Sequence, residues 1–378
     1  MENVKTNILK CPSCGANLVY DPENCGLVCS HCGHKEKIEN KIFNDEQLLK
    51  NAKIIPNDWQ EETRVFKCSN CGASTVFEDN ELSKVCPFCS SSNIVPSDSI
   101  PGMKPSSILP FSISEEKAKE LYRKWMKSKL YAPREIKKNP PQGFLHGVYL
   151  PVYTFDMDTN TVYKGRLGKY HTKTVGTGKN TRTVTEIRYF NISGEEFYHF
   201  DDIIVNAGNN IDQSSIDSVG PFKSNLGFKY KLDYIAGFSC EHYTKDLDTG
   251  YDDSKKKAKK IIERNILNGY NYDVVDYLDL DTTYDNITYK YIMIPIWFLN
   301  YKYNNKEYKV ILNGDTGRLK GKYPISPLKV SITILIIIFI LVTAYFIYKY
   351  VSRDKNPYDE FPNFINTLSN YLLFFHIK

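Results

Sequence analysis

Apolar and polar positions are unevenly spread along this chain, and the longest apolar run lies near its end. Residues 330–348, VSITILIIIFILVTAYFIY, carry no charge over nineteen positions. At ~1.5 Å per helical residue, such a run nearly covers the ~30 Å hydrocarbon core of a bilayer. Lys329 and Lys349 bracket it, and Tyr345 and Tyr348 stand near one end, where aromatic rings favour the membrane interface. A transmembrane helix is predicted over 329–349. In the tail, 350–378, Phe361, Phe364, Ile365, Leu368, Tyr371, Leu372 and Phe375 recur at helical spacing. That pattern fits an amphipathic helix lying on a membrane.

Upstream, the periods alternate between helix and strand. EEKAKELYRKWMKSK carries a stripe of Ala118, Leu121, Tyr122, Trp125 and Met126, with Ser112 and Glu115 as a capping box. DDSKKKAKKIIERNILNG reads as a second helix, capped by Asp252, Asp253 or Ser254 and stopped by Gly269. GVYLPVYTFDMD, GFSCEHY and YIMIPIWFLNYKY read as strands, the last turning at Asn304-Asn305. Leu-Pro-Val-Tyr-Thr-Phe at 150–155 aligns with Ile-Pro-Ile-Trp-Phe-Leu at 294–299, which points to two related strand–helix–strand–strand units. Between them, TVYKGRLGKYHTKTV and TRTVTEIRYFNISG alternate as strands around a Gly-rich turn. The predicted fold class is α+β, mostly antiparallel, with an internal duplication.

Cysteine spacing adds two small modules in front. CPSCGANLVYDPENCGLVCSHC (11–32) and CSNCGASTVFEDNELSKVCPFC (68–89) each hold two Cys-x-x-Cys pairs, and they align without a gap at an offset of 57. A tetrahedral zinc site needs four thiolates converging from two turns, and this spacing supplies them. Gly15, Gly33 and Gly72 follow their Cys pairs, where the turn favours a positive φ. Cys25 has no counterpart in the second copy, which carries Leu82 there; His31 and His34 have none either. With no apolar leader at the N-terminus and two further cysteines, Cys25 and Cys240, a reducing compartment and metal binding are expected rather than disulfides. The expected ligands are Cys11, Cys14, Cys29 and Cys32 for one zinc, and Cys68, Cys71, Cys86 and Cys89 for another. Four protein ligands leave no open position, so both ions are expected to be structural.

The predicted organisation is therefore a first ribbon (1–40), a linker (41–63), a second ribbon (64–96), a Pro- and Ser-rich linker (97–110), an α+β domain (111–325), the transmembrane helix (329–349) and the tail (350–378). Arg318, Lys320, Lys322 and Lys329 precede the span and Lys349, Arg353 and Lys355 follow it. This excess and the reduced thiolates place the N-terminal domains on the cytoplasmic side of a cell membrane.

Charge narrows the partner class. The formal net charge is +5. Eight thiolates and two zinc ions would bring it to about +1. Residues 1–40 hold four Lys against five acids, and 64–96 hold three of each. A ribbon that grips phosphates is expected to carry a basic face, so a protein partner on the ribbons is favoured over nucleic acid. The basic exception is 164–188, where Lys164, Arg166, Lys169, Lys173, Lys179, Arg182 and Arg188 face only Glu186, with Tyr163, Tyr170 and Tyr189 interleaved.

No catalytic set emerges. Gly176-Thr177-Gly178-Lys179 lacks the first Gly of a phosphate loop and has Asn180 in place of Ser or Thr. Cys240 and His242 read as a buried thiol beside an ordinary His. Asp156, Asp158, Asp201 and Asp202 are candidates for an acid–base pair, but strand-end carboxylates are more often caps.

The ribbons resemble that of transcription factor TFIIB. With LPFSIS, APREI, GVYLPVYTFD, FDDIIV and NGDTGRLKG, the layout looks like a bacterial family of TFIIB-type zinc-ribbon membrane proteins. Its members often carry a label borrowed from the primosomal replication-restart helicase. The resemblance implies zinc and a membrane. It implies no established activity; with no phosphate loop, the residues themselves favour a binding or scaffold module, the alternatives being a nucleic-acid-binding replication or repair protein without its own ATPase motif and, more weakly, a hydrolase using the middle domain.

Overall fold

The computed structural model describes residues 9–39, 42–43, 47–51, 64–70, 72–77, 86, 88, 94–97, 103–141, 144–176 and 181–351. Cys71, Cys89, Thr177–Asn180, most of the 41–63 linker and the tail after Val351 lie outside them. The front of the chain forms β1 (Leu18–Asp21), β2 (Gly26–Cys29), β3 (Lys35–Lys37), β4 (Gln47–Leu48), β5 (Arg64–Cys68), β6 (Ser74–Phe77) and β7 (Ile94–Ser97). Next come β8 (Ser107–Ile108), α1 (Glu115–Ser128), α2 (Arg134–Lys138), β9 (Phe144–Val175), β10 (Arg182–Asn206) and α3 (Gln213–Val219). The remainder is β11 (Phe228–Lys229), β12 (Ser239–Glu241), α4 (Leu247–Asn268), β13 (Val274–Tyr303), β14 (Lys306–Asn313), β15 (Leu319–Gly321) and α5 (Pro327–Val351). The class is α+β, and the sheets are mostly antiparallel.

Two strands run through the centre. β9 and β13 pair antiparallel from Gly168 opposite Val274 to Phe144 opposite Asn300. Their middles, Val148–Met157 and Tyr289–Leu299, are buried on both faces, which is why the sequence there is largely apolar without alternation, with Thr154, Asp156 and Lys290 as the polar exceptions. Past Met157 the burial of β9 alternates strictly: Thr159, Thr161, Tyr163, Gly165 and Leu167 face in, and Val162, Lys164 and Arg166 face out. Here β10, β9 and β13 form a three-stranded arm with α4 on one face. At ~3.3 Å per residue, about 80 Å of strand separates Val274 at the arm's far end from Leu299 near the start of α5.

Both helices start differently from the sequence reading. α1 is capped by Ser114, whose Oγ accepts from the Lys117 N–H, while Ser112 Oγ donates to Asp315. α4 begins about two turns early, capped by Asp246, whose carboxylate accepts from the Thr249 N–H at 2.8 Å. Gly250 hid that first turn. It is required there because a Cβ would lie 2.6 Å from the Tyr153 ring.

The two halves share one set of contacts. β8 lies parallel to β13 with Ser107 opposite Ile292, and β12 lies parallel to β9 with Ser239 opposite Val148. Ala207 N–H donates to Pro151 O as Gly314 N–H donates to Pro295 O. Ala207 O accepts from the N–H groups of Thr244 and Lys245, just ahead of the Asp246 cap; Gly314 O accepts from those of Ser112 and Ile113, just ahead of the Ser114 cap.

α5 is the one helix among the described residues long and apolar enough to cross a membrane. Its large side chains face outward, with Phe339 69% exposed, whereas a core helix would bury them. Its start is tied down by Lys329 Nζ, which donates to Ala132 O at 2.6 Å, and by Ser326 N–H on Tyr131 O.

Candidate metal centre

The first two Cys pairs converge. Sγ of Cys11 lies 3.5 Å from that of Cys32, Cys14 lies 3.5 Å from Cys29, and all four sulfurs fall within 4.8 Å of one another. A tetrahedral zinc with ~2.3 Å bonds sets its sulfurs ~3.8 Å apart, whereas a disulfide would bring them to ~2.05 Å. The set fits one zinc ion held by Cys11, Cys14, Cys29 and Cys32. Each knuckle closes in the same way: Cys11 N–H donates to Ala16 O and Gly15 N–H to Cys11 O, and Cys29 N–H donates to His34 O and Gly33 N–H to Cys29 O. Gly15 and Gly33 take φ of +74° and +76°, a region that penalises a Cβ. His34 bonds Ser13 and Glu36, and Cys25 lies outside the cluster.

The second copy repeats the knuckle at Cys68, with Gly72 N–H on Cys68 O and φ +76°. Cys68 and Cys86 are buried; Cys71 and Cys89 fall outside the described residues. The described residues thus hold one complete four-cysteine cluster.

Neither ribbon hangs free. Tyr20 N–H donates to Ala236 O at 3.0 Å, its hydroxyl donates to Phe111 O, and its ring meets Tyr234 edge-on. Glu23 accepts from Ser114 Oγ at the cap of α1. In the second copy, β6 pairs antiparallel with β12, Cys240 opposite Val76 and Glu241 opposite Thr75, so its hairpin extends the large sheet.

Of the carboxylates singled out in the sequence, Asp156, Asp201 and Asp202 come together. The cause is a bulge in β10 between Phe200 and Ile203, where Asp202 takes φ +53°. Asp202 N–H donates to Asp156, Ser224 Oγ donates to Asp202 at 2.6 Å, and Lys290 pairs with Asp202 at 3.0 Å. Asp158 stands apart with His199 and Asn286, each at 2.7 Å. A groove of about 790 Å³ opens beside the bulge, lined in part by Tyr198, Phe200, Ser224 and Lys257. Gly176 directly follows β9, whose antiparallel partner β10 is the next described element, where a phosphate loop would lead from strand to helix. Burial pushes the Cys240 thiol up, away from reactivity.

Two buried charges escaped the sequence reading. Lys290 is a lone cation in YKYIMIPIWF, and Glu241 lies between Cys240 and His242. A single charge inside an apolar strand was the available signal. Glu241 is 2% exposed and accepts from the N–H groups of Asn209 and Asn210. Burial lifts its pKa from 4.5 to about 7, ahead of those lowering bonds. The folded state therefore binds the proton more tightly than the unfolded chain. Stability from this group is full below pH ~4.5 and lost as the pH rises through about 7, by ~3 kcal/mol. Glu241→Gln, which keeps an acceptor oxygen, should flatten the pH dependence of thermal unfolding between pH 5 and 8. An unchanged slope would reject this assignment.

Comparisons with known proteins follow this division. Residues 6–35 match the family model described as Trm112p-like protein, which covers the first cluster. The N-terminal segment is thus a Trm112p-like zinc-binding motif. The chain is also distantly related to "Uncharacterized protein YdjG" of Bacillus subtilis (strain 168), 27% identical over 324 residues, or 85% of this chain and 91% of that protein. No solved structure matches.

Proposed function

We propose that the protein is a single-pass, membrane-anchored zinc-ribbon module that binds or scaffolds a protein partner, with zinc in a structural role. The carrying observation is the closed cluster: Cys11, Cys14, Cys29 and Cys32 fill a tetrahedron and leave no position for substrate or water. The second Cys quartet is assigned a second ion on the strength of the repeat and of the Cys68–Gly72 knuckle. The exposed apolar helix α5 supports the anchor, and the reduced thiolates support a cytoplasmic face for the ribbons. The shared contacts of the β8–β10 and β12–β14 halves support an internal duplication beneath the α+β domain.

A second reading, nucleic-acid binding, is favoured by one feature. The far end of the arm exposes Tyr170 and Tyr189 among Lys169, Lys173, Arg182 and Arg188, with Arg166 stacked 5.0 Å from the Tyr189 ring.

The full chain, extracted from membranes in detergent, tests both. The expected result is two zinc ions per chain, no ATP hydrolysis, and a co-purifying protein released by chelation. Recovery in the soluble fraction, or DNA affinity falling steeply with salt, would overturn the first reading.

A further inference from the structure

The outer edge of β10 is open. Among the described residues β10 pairs only with β9, so from Arg182 to Phe200 one side of the strand has no strand partner. Exposed edges in natural sheets are usually blunted by Lys, Pro or inward charges. This stretch has neither Lys nor Pro, and it exposes Ile187, Tyr189, Phe190 and Phe197, the last at 72%. The other edge of the arm without a strand partner among the described residues, β13 from Val274 to Ile287, is protected: Asp279, Asp281 and Asp285 lie on it with no Lys or Arg in the segment, while Asp276 is paired with Arg166 of β9. Two copies of that edge would repel.

The charges of β10 run the opposite way. Arg182 and Arg188 lie in its first half, with Glu186 bonded to Arg188 at 3.0 Å, and Glu195, Glu196, Asp201 and Asp202 lie in its second. We propose that β10 pairs antiparallel with β10 of a second copy of this chain, about a two-fold axis at Ile192. That register sets Arg188 opposite Glu196, Ile187 opposite Phe197 and Phe190 opposite Gly194; Asp202, past the bulge and paired with Lys290, takes no part in it. Moving the axis to Asn191 sets Glu186 against Glu196, and moving it to Ser193 leaves Arg188 facing Tyr198. Charge complementarity therefore favours the Ile192 register over its two neighbours.

α4 does not obstruct the pairing. It covers the acidic half of β10: Lys257 Nζ donates to Ile204 O, and just past the helix end the Tyr270 hydroxyl meets that of Tyr163, which lies against Gly194. The first half is uncovered. The two-fold axis places the helices on opposite sides of Ile192, and each copy's bare strand end lies beside the other copy's covered one.

The test is the mass of the full chain in detergent, by light scattering across a dilution series. Wild type should be a dimer. Arg188→Glu and Glu196→Arg should each weaken dimerisation by ~10-fold or more, because each sets two like-charge pairs across the axis. The double reversal should restore it. Both side chains are solvent-exposed, so the fold should tolerate the changes. A monomeric wild type, single reversals that stay dimeric, a double reversal that fails to restore, or open-ended larger assemblies would each overturn the proposal.

Discussion

Replacing Cys29 by serine strips zinc from the first cluster and loosens residues 9–39 from the domain behind them. Cys29 is buried and ends β2, while its sulfur faces Cys14 in the tetrahedron. The module has little core of its own: Leu18, Tyr20, Leu27 and Ile38 belong to the same apolar cluster as Tyr149, Tyr234 and Trp297. Structural zinc contributes about 10–16 kcal/mol to the folding of small ribbons, more than such a core supplies. Losing one thiolate should cost most of that. Zinc counted by mass spectrometry should fall by one per chain, and proteolysis should open the N-terminal segment. Cys25→Ser, outside the cluster, should do neither. Equal zinc in the Cys29 variant and wild type would rule out this ligand set.

The second large effect is expected at Lys290. Its side chain is 3% exposed and pairs with Asp202, itself 15% exposed and close to Asp156. Lys290→Ala leaves two carboxylates close together without their cation. Breaking a buried pair from one side costs about 3–5 kcal/mol, because the remaining charge keeps its desolvation penalty. Removing both charges avoids that penalty. Lys290→Met with Asp202→Asn should therefore recover most of the stability lost by Lys290→Ala, measured by denaturant unfolding. A double variant as weak as the single one would mean that packing, not charge, makes Lys290 necessary.

What the sequence revealed depended on how local each signal was. Cys-x-x-Cys turns and the Gly that follows them are short-range devices, and the first cluster was legible in full. The stripe of α1 was legible too, while its cap moved from Ser112 to Ser114 because Ser112 is engaged by Asp315, two hundred residues away. The start of α4 was hidden by Gly250, whose reason is the ring of Tyr153. Strand pattern suggested short pieces, and the chain forms strands of 32, 25 and 30 residues. Alternation identifies a face but says nothing of how far a strand continues once another pairs with it. The gathering of Asp156 with Asp201 and Asp202 depends on a bulge, which a period-two pattern cannot announce. Lys290 and Glu241 became notable only when their distant neighbours were in place.

The exchanged short strands have a consequence for how the domain can be divided. β8 precedes α1 yet lies along β13, and β12 precedes α4 yet lies along β9. Each half completes the sheet of the other. Cutting the chain in the loop between Asn206 and Gln213 would therefore not release two domains; it would leave two fragments interlocked by complementation. Truncation from the N-terminus past β8 takes a strand from beside β13, in the opposite half, so the damage does not stay where the cut is made.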